Sequence, residues 1–220
     1  MGNLSAISIH DRDATNYDGL VRDYGSHVHD VLFGLCYEYV SVGDSLLDLG
    51  IGTGLSSIPF ARVGLIVTGI DGSSAMLAVC RAKRFAAELT RHNLLEAPLP
   101  YADATFHHVI SSGVFHFIRD LTLVVGEATR LLRPLSIFAF TTATPSNPGT
   151  EMPEEPVTCI RQDVGSGVPI YAHTPSCVQY LLECNSLSVL KSQLFYAHAQ
   201  TQEETPLLMA AYVTKKHSRR

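Results

Sequence analysis

The stretch from Ser45 to Gly54, SLLDLGIGTG, constrains the fold of this chain more than any other part of the sequence. A short apolar run ends in glycines at alternate positions, and the residues that follow, LSSIPFA, are typical of a helix. Glycine reaches positive φ and has no Cβ, so such a turn brings bare backbone close to a ligand. The start of a helix adds unpaired N–H groups and the positive end of its dipole. The stretch therefore predicts a strand, a glycine-rich turn and a helix that together face a binding site.

The glycines alone leave two interpretations open. Their spacing is G-x-G-x-G, and Leu55 stands where the dinucleotide fingerprint G-x-G-x-x-G has its third glycine, so a purely structural tight turn stays possible. Asp71 ends a second apolar strand, 71 − 50 = 21 residues after Gly50. In nucleotide-binding α/β sheets an acidic residue at this place accepts the ribose hydroxyls. The alternative for Asp71 is a cap on the helix that begins near Ser73.

Composition excludes several classes of protein. The 220 residues are 46% hydrophobic and 17% charged, which suits one large domain with a sizeable core. The net charge of −5 argues against a surface that tracks nucleic-acid phosphates. Five scattered cysteines without a C-x-x-C pair indicate free thiols rather than disulfides or a zinc site. Without a signal-peptide pattern or an apolar run of ~20 residues, we expect a cytoplasmic protein that contacts no membrane and holds no metal.

Strand-like and helix-like segments alternate from Leu46 to Thr142, which predicts parallel strands with helices on both faces. Two final strands, near 187–196 and 207–214, predict an antiparallel hairpin at the sheet edge. The predicted fold class is α/β, a seven-stranded, mostly parallel sheet in a single domain over 1–220. Residues 1–40 are expected to form an N-terminal cap segment that starts as a loose terminus. Residues 143–173 contain five prolines and no clear periodicity, so we expect a lid-like insert.

Five stretches then follow one another in a specific order: DLGIGTG, GIDGSSAML, NLLEAPLPYADATF, VISSGVFHFI and EATRLLRP. In order and spacing they resemble class I S-adenosylmethionine-dependent methyltransferases, and most of all the small-molecule enzymes of that superfamily. The resemblance covers roughly residues 17–142 and implies a Rossmann-like sheet. It also implies S-adenosylmethionine as cofactor, S-adenosylhomocysteine as product, and in-line transfer of a methyl group to O, N or C of a small-molecule acceptor. The chain is expected to be a monomer or homodimer.

The resemblance also implies cofactor-binding positions. These are Tyr17, Tyr24, Gly50, Gly52, Gly54, Asp71, Gly72, Met76, Asn93, Leu94 and Ser112. The glycine turn would pass beside the methionine part of the cofactor, and Asp71 would hold the ribose. The side chain of Asn93, where the family often has Asp, would meet the adenine, and the carbonyl of Ser112 would accept from the cofactor's amino group. Tyr17 and Tyr24 would close over the methyl-donor end.

Two histidines are candidates for a catalytic base. A base is needed only if the acceptor must lose a proton, and imidazole titrates in the useful range. His116 follows the fourth predicted strand, and His173 ends the expected lid. The alternative for His116 is a packed histidine, and the alternative for His173 is a position outside the pocket.

Two other functions stay open. The family commonly has Asp where His107 stands and a glycine pair in place of Leu135-Ser136. These departures favour a methyltransferase-like protein that binds the cofactor, or nothing, and acts through protein contacts. An NAD(P)-dependent oxidoreductase is the third hypothesis, and the glycine spacing argues against it.

Overall fold

The computed structural model describes residues 6–145, 159–162, 169–198 and 206–218. The helices α1 to α7 are Ala6–Asp13, Tyr17–Asp23, Val28–Cys36, Ile58–Arg62, Ser74–Ala82, Thr122–Leu131 and Pro175–Cys184. The strands β1 to β9 are Ser45–Leu49, Ile66–Asp71, Glu88–Arg91, Phe106–Ser111, Leu132–Ala143, Cys159–Gln162, Ile170–His173, Leu187–Tyr196 and Leu208–Lys216. Short 3₁₀ turns span Tyr37–Tyr39 and Phe115–Phe117. No helix within the described ranges is long and apolar enough to cross a bilayer.

The strands form one sheet whose main body follows the predicted topology. β3, β2, β1, β4 and β5 lie side by side and parallel, and β9 runs antiparallel along β5, with β8 at its outer edge. Alternate residues of β5 point to opposite faces. Phe138 and Phe140 pack against α6 and α7, whereas Ile137 and Ala139 belong to the core beneath α3, α4 and α5. The α/β prediction with an antiparallel C-terminal hairpin is confirmed.

β6 and β7 are the strands that the seven-strand prediction missed. They pair with each other inside the expected lid-like insert, and β7 joins the sheet through Ala172, which pairs in parallel with Ala143 of β5. β9 pairs with the other edge of Ala143, through Met209. β4 stops pairing with β5 at Ser111, and β7 pairs with the same edge of β5 beyond that point. β7 therefore extends the sheet beyond the carboxyl end of β4. The rest of the expected lid, 146–158 and 163–168, lies outside the described residues.

α1 corrects the expectation of a loose N-terminus. Its Asp11 accepts hydrogen bonds from the Ser73 hydroxyl, at 2.5 Å, and from the backbone at the start of α5. In α2, Asp18 accepts from the Thr53 hydroxyl at 2.6 Å and from Lys83 Nζ at 2.5 Å. Asp11 thus docks α1 onto the start of α5, and Asp18 docks α2 onto the glycine turn and the end of α5.

Asp48 of β1 ties the strand to the helix beyond the glycine turn. It is 1% exposed, and its Oδ2 accepts from the Ser57 hydroxyl at 2.7 Å. Its Oδ1 has no hydrogen-bond partner within the part of the chain that the structure describes. Burial raises the pKa of Asp48 to about 7. The folded state therefore favours the protonated carboxyl, in contrast to the unfolded chain, where aspartate ionises near its ordinary pKa of about 3.9.

This raised pKa predicts a stability that falls as pH increases. The unfolded chain loses the Asp48 proton near pH 4 and the folded chain retains it up to about pH 7. The stabilisation is therefore complete at acid pH and is lost between those values, at roughly 1.4 kcal/mol per pH unit. We expect Asp48→Asn to remove this part of the slope when urea unfolding is compared at pH 5, 6, 7 and 8. Equal slopes in the variant and the wild type would contradict the prediction.

Candidate functional site

A cavity of about 700 Å³ opens at the carboxyl ends of β1, β2 and β4. The strand order reverses direction between β1 and β4, and open α/β sheets bind their ligands at such a point. The volume lies in the range of small-molecule pockets, about 300–1,000 Å³. Nine of the predicted cofactor-binding residues line it, namely Tyr17, Gly50, Gly52, Asp71, Gly72, Met76, Asn93, Leu94 and Ser112.

The glycine turn after β1 needs glycine for two different reasons. Gly50 has φ of +81°, and a Cβ there would lie 2.5 Å from the Val114 side chain. Its backbone N–H donates to the Ile70 carbonyl at 2.8 Å, which fixes the turn to β2. Gly52 has φ of +54°, and a Cβ there would meet nothing within 4 Å. The first glycine permits close packing, and the second presents bare backbone to open space in the cavity.

Gly54 and Tyr24 are predicted cofactor-binding residues that the structure does not bring to the cavity. Gly54 is buried with φ of +90°, and a Cβ there would lie 2.4 Å from the Phe85 ring. Packing beneath the turn therefore requires a glycine at position 54. Tyr24 ends α2 with 63% of its surface exposed, and its ring lies 6.4 Å from that of His198. The residues of α2 that line the cavity are Tyr17 and Val21.

Asp71 joins the glycine turn to the loop that follows β2. Its Oδ2 accepts from the Gly52 N–H and its Oδ1 from the Ser73 N–H, each at 2.8 Å. Burial raises the pKa of this carboxyl, and the two N–H donors act in the opposite direction. Capping of α5 was the alternative role for Asp71. The side-chain cap of α5 is Ser73 instead, because its hydroxyl accepts from the Met76 N–H at 3.0 Å. Asp71 thus holds the loop geometry and lines the cavity at the same time.

His116 lines the cavity, and its ring lies against Phe117 with the centroids 4.1 Å apart. Its Nδ1 is buried without a hydrogen-bond partner among the described residues. Burial is the main cause that lowers the pKa of His116 to about 3, and the neighbouring His10 and His173 lower it further. The imidazole is therefore neutral near pH 7. A group with so low a pKa is a weak proton acceptor, so its chemistry at this site is that of a neutral hydrogen-bonding group.

His173 is 2% exposed and is not among the cavity-lining residues. Its Nε2 lies 3.3 Å from the Arg119 carbonyl, which only accepts, so Nε2 carries the proton. Its Nδ1 then accepts from the Thr142 hydroxyl at 2.7 Å. Both ring nitrogens are used in joining β7 to β5 and to the segment after β4. The structure does not place this predicted catalytic residue in the site, and the alternative position outside the pocket is the one observed.

Sequence reasoning missed several residues that line the cavity. Ile7 and His10 come from α1, and Phe117 and Tyr171 come from the 3₁₀ turn and β7. The Ile7 side chain lies so close to Gly72 that a Cβ on that glycine would approach it to 2.6 Å. The His10 ring packs edge-on to Phe117 at 5.3 Å. The spacing of Ile7 and His10, three positions apart and so on one helix face, was the available signal.

Comparison with known proteins relates part of this chain to a protein family. Residues 47–140 match the family model described as a methyltransferase domain. The malonyl-[acyl-carrier protein] O-methyltransferase of Serratia marcescens is 33% identical over 144 residues, which are 64% of this chain and 53% of that protein. Residues 47–140 are therefore similar to a methyltransferase domain. The chain spans about half or less of the length of the curated relatives it matches.

Solved structures support the methyltransferase fold over more of the chain. A S-adenosylmethionine-dependent methyltransferase from Methanosarcina mazei superposes with a TM-score of 0.69 at 17% identity, covering 86% of this chain and 99% of that one. The [4+2]-cyclase SpnF superposes with a TM-score of 0.73 at 15% identity, covering 99% and 98%. At these identities the likeness establishes the fold alone.

Gly52 and Gly54 have different surroundings, so we expect alanine substitutions at the two positions to have different effects. We expect Gly54→Ala to destabilise the fold by about 2–4 kcal/mol, because its positive φ and the Phe85 ring both oppose a Cβ. Gly52→Ala has space for its methyl group, so it costs only about 1–2 kcal/mol of backbone strain. The methyl group enters the cavity, however, and we expect it to weaken S-adenosylhomocysteine binding more than Gly54→Ala does.

Urea unfolding gives the first comparison, and calorimetric titration of the folded variants gives the second. A larger loss of stability in Gly52→Ala than in Gly54→Ala would contradict the prediction.

Proposed function

We propose that the chain binds S-adenosylmethionine and transfers its methyl group to O, N or C of a small-molecule acceptor. The observation that carries the proposal is a single cavity that joins the glycine turn, Asp71 and Asn93 to an apolar wall from later elements. When bound, the cofactor supplies an electrophilic methyl group that moves to the acceptor by in-line displacement. The task of the protein in such a reaction is to hold donor and acceptor close and aligned.

Asp71 is proposed to hold the ribose. Each carboxylate oxygen accepts one backbone N–H, from Gly52 or Ser73, and an ionised carboxylate has about four lone-pair sites. Two sites therefore remain for ribose hydroxyls. The same two N–H bonds fix the direction of the carboxylate before any ligand arrives, so little ordering is required on binding.

Met76, Asn93 and Leu94 are proposed to form the adenine side of the site. Met76 and Leu94 are buried apolar side chains that line the cavity. The Asn93 Oδ1 accepts from the Leu95 N–H at 3.1 Å, which holds this side chain in one orientation. Its second lone pair is available to the adenine amino group, the role that the resemblance implies for this position.

Tyr17 and Ser112 are proposed to border the methyl-donor end. Burial raises the pKa of Tyr17, and the nearby Asp18 and Asp71 carboxylates act in the same direction. The phenol therefore keeps its proton near neutral pH and is a hydrogen-bond donor there. The contacts of Asp18 with Thr53 and Lys83 hold α2 over the glycine turn, so Tyr17 is positioned to exclude water from this end of the cavity.

Part of the expected lid-like insert is proposed to border the acceptor. Among the described residues of 143–173, Pro169 and Tyr171 line the cavity, which supports this role. The insert would then influence which acceptor is used. Exchange of 143–173 for the corresponding segment of a relative is expected to change acceptor preference while leaving the affinity for the cofactor unchanged.

Calorimetric titration tests the cofactor. We expect S-adenosylmethionine and S-adenosylhomocysteine to bind with micromolar dissociation constants and NADH not to bind. Asp71→Asn keeps the size of the side chain and one acceptor oxygen but loses the charge. Because a hydrogen bond to a charged group contributes about 1.5–3 kcal/mol, we expect this variant to weaken binding of both cofactors roughly ten- to a hundredfold.

The matched control is Asp103→Asn, an exposed carboxylate paired with Arg130 away from the cavity. It is expected to leave cofactor affinity unchanged. Binding of NADH with no binding of either sulfur compound would reject the proposed cofactor. An Asp71→Asn affinity equal to that of the wild type would reject the ribose contact.

Transfer of labelled methyl groups to a panel of small metabolites tests the reaction itself. The neighbour titled a [4+2]-cyclase shares this fold over nearly all of both chains, so the fold does not decide the reaction. Label transferred to any acceptor in the panel supports methyl transfer. Cofactor binding without transfer to any acceptor would favour the alternative, a methyltransferase-like protein that acts without this chemistry.

A further inference from the structure

Part of the cavity lining is an apolar wall built by elements from before, within and after the matched residues 47–140. Its members are Val21, Val28, Phe117, Ile118, Pro169, Tyr171, Ala197, Leu207 and Met209. Phe117, Ala197 and Leu207 pack on a small core formed by Ala143 and its neighbours in β7 and β9. The wall is therefore supported from behind by the sheet, at the place where β7 and β9 meet on β5.

Fixed charge is nearly absent from this cavity. Among the lining residues that the structure describes, Asp71 is the one Asp, Glu, Lys or Arg side chain. Asp71 belongs to the glycine-turn part of the lining, where it accepts from the Gly52 and Ser73 N–H groups. A charged acceptor placed against the apolar wall would lose its hydration and would meet no Asp, Glu, Lys or Arg side chain among the wall residues that the structure describes, which is costly. A neutral acceptor would gain from the removal of apolar surface from water.

His116 adds a polar group beside this wall. It lines the cavity next to Phe117, and its Nδ1 is buried without a partner among the described residues. The other ring nitrogen, Nε2, also makes no hydrogen bond with the described residues but is not enclosed by them, so it is the nitrogen that a ligand group in the cavity reaches. Because burial keeps the pKa of His116 at about 3, the ring meets such a group as a neutral imidazole and brings no charge to the wall.

We infer that the acceptor is a neutral, largely apolar molecule with one hydroxyl, and that this hydroxyl is held by a hydrogen bond to the neutral imidazole of His116. The inference rests on the proposed function, since it names the acceptor class for the same cavity. His116 thus selects and orients the acceptor, and it does not remove the acceptor's proton. The sequence analysis gave His116 as a candidate base with a packed histidine as the alternative, and the inference gives it a positioning role.

The experiment uses three fluorescent probes of one shape with the full chain saturated with S-adenosylhomocysteine. They are 2-naphthol, naphthalene and 2-naphthoate, which differ in a hydroxyl, a hydrogen and a charged carboxylate. We expect 2-naphthol to bind at least about tenfold more tightly than 2-naphthoate. We expect 2-naphthol to bind about two- to tenfold more tightly than naphthalene, because its hydroxyl contributes one neutral hydrogen bond.

Variants at His116 separate the hydrogen bond from packing. His116→Leu is expected to bind naphthalene as the wild type does and to lose the advantage of 2-naphthol. His116→Gln, whose amide reaches the place of Nε2, is expected to keep part of that advantage. His217→Leu, an exposed histidine outside this cavity, serves as the control.

Three results would overturn the inference. These are 2-naphthoate binding as tightly as 2-naphthol, no probe binding to the loaded chain, or a hydroxyl advantage that is the same in His116→Leu and wild type. The affinity for S-adenosylhomocysteine is measured first, so its absence would reject the proposed function rather than the acceptor class.

Discussion

The site depends on the pair of backbone hydrogen bonds that Asp71 accepts. One comes from Gly52 in the turn after β1 and the other from Ser73 in the turn after β2, so a single carboxylate fixes two adjacent loops at the edge of the sheet. Without it, the positive φ angles of the glycine turn would be held by local packing and by backbone hydrogen bonds such as that from the Gly50 N–H to the Ile70 carbonyl. The arrangement is stable because each donor is a backbone N–H that would otherwise need a partner at a partly buried position.

Carboxylates of the N-terminal segment likewise hold neighbouring loops and helices through hydrogen bonds. Asp11 and Asp18 lie outside the region that matches the family model, yet each accepts hydrogen bonds from the loops that Asp71 joins or from the helices next to them. The Ser73 hydroxyl donates to Asp11 and accepts from the Met76 N–H, so α1 is coupled to the first turn of α5. One side of the cavity is therefore built from parts of the chain that are remote in sequence but held by short charge-assisted contacts.

Features that local chemistry decides could be predicted from the sequence. The sequence predicted a strand near 187–196, which the structure places at Leu187–Tyr196, and the glycine turn predicted the place of the cavity. The β6–β7 pair could not be predicted, because its place depends on where β4 ends and on which edge of β5 remains available. Likewise, Gly54 has the spacing of a ligand-binding glycine, but the Phe85 ring beneath it is a tertiary neighbour that spacing does not reveal.

The roles of the two candidate histidines could likewise not be predicted from the sequence, because they depend on tertiary hydrogen-bond partners. His116 and His173 are equivalent as sequence candidates, and His173 is buried while His116 is partly buried, but their hydrogen-bond partners give them different capacities. His173 has the Thr142 hydroxyl and the Arg119 carbonyl at its two nitrogens, so its hydrogen-bonding capacity is used within the fold. His116 keeps an unpartnered Nδ1 in the described structure and lies beside the cavity. Burial alone therefore does not distinguish a structural imidazole from a ligand-facing one; the decisive property is whether the fold has already satisfied its nitrogens.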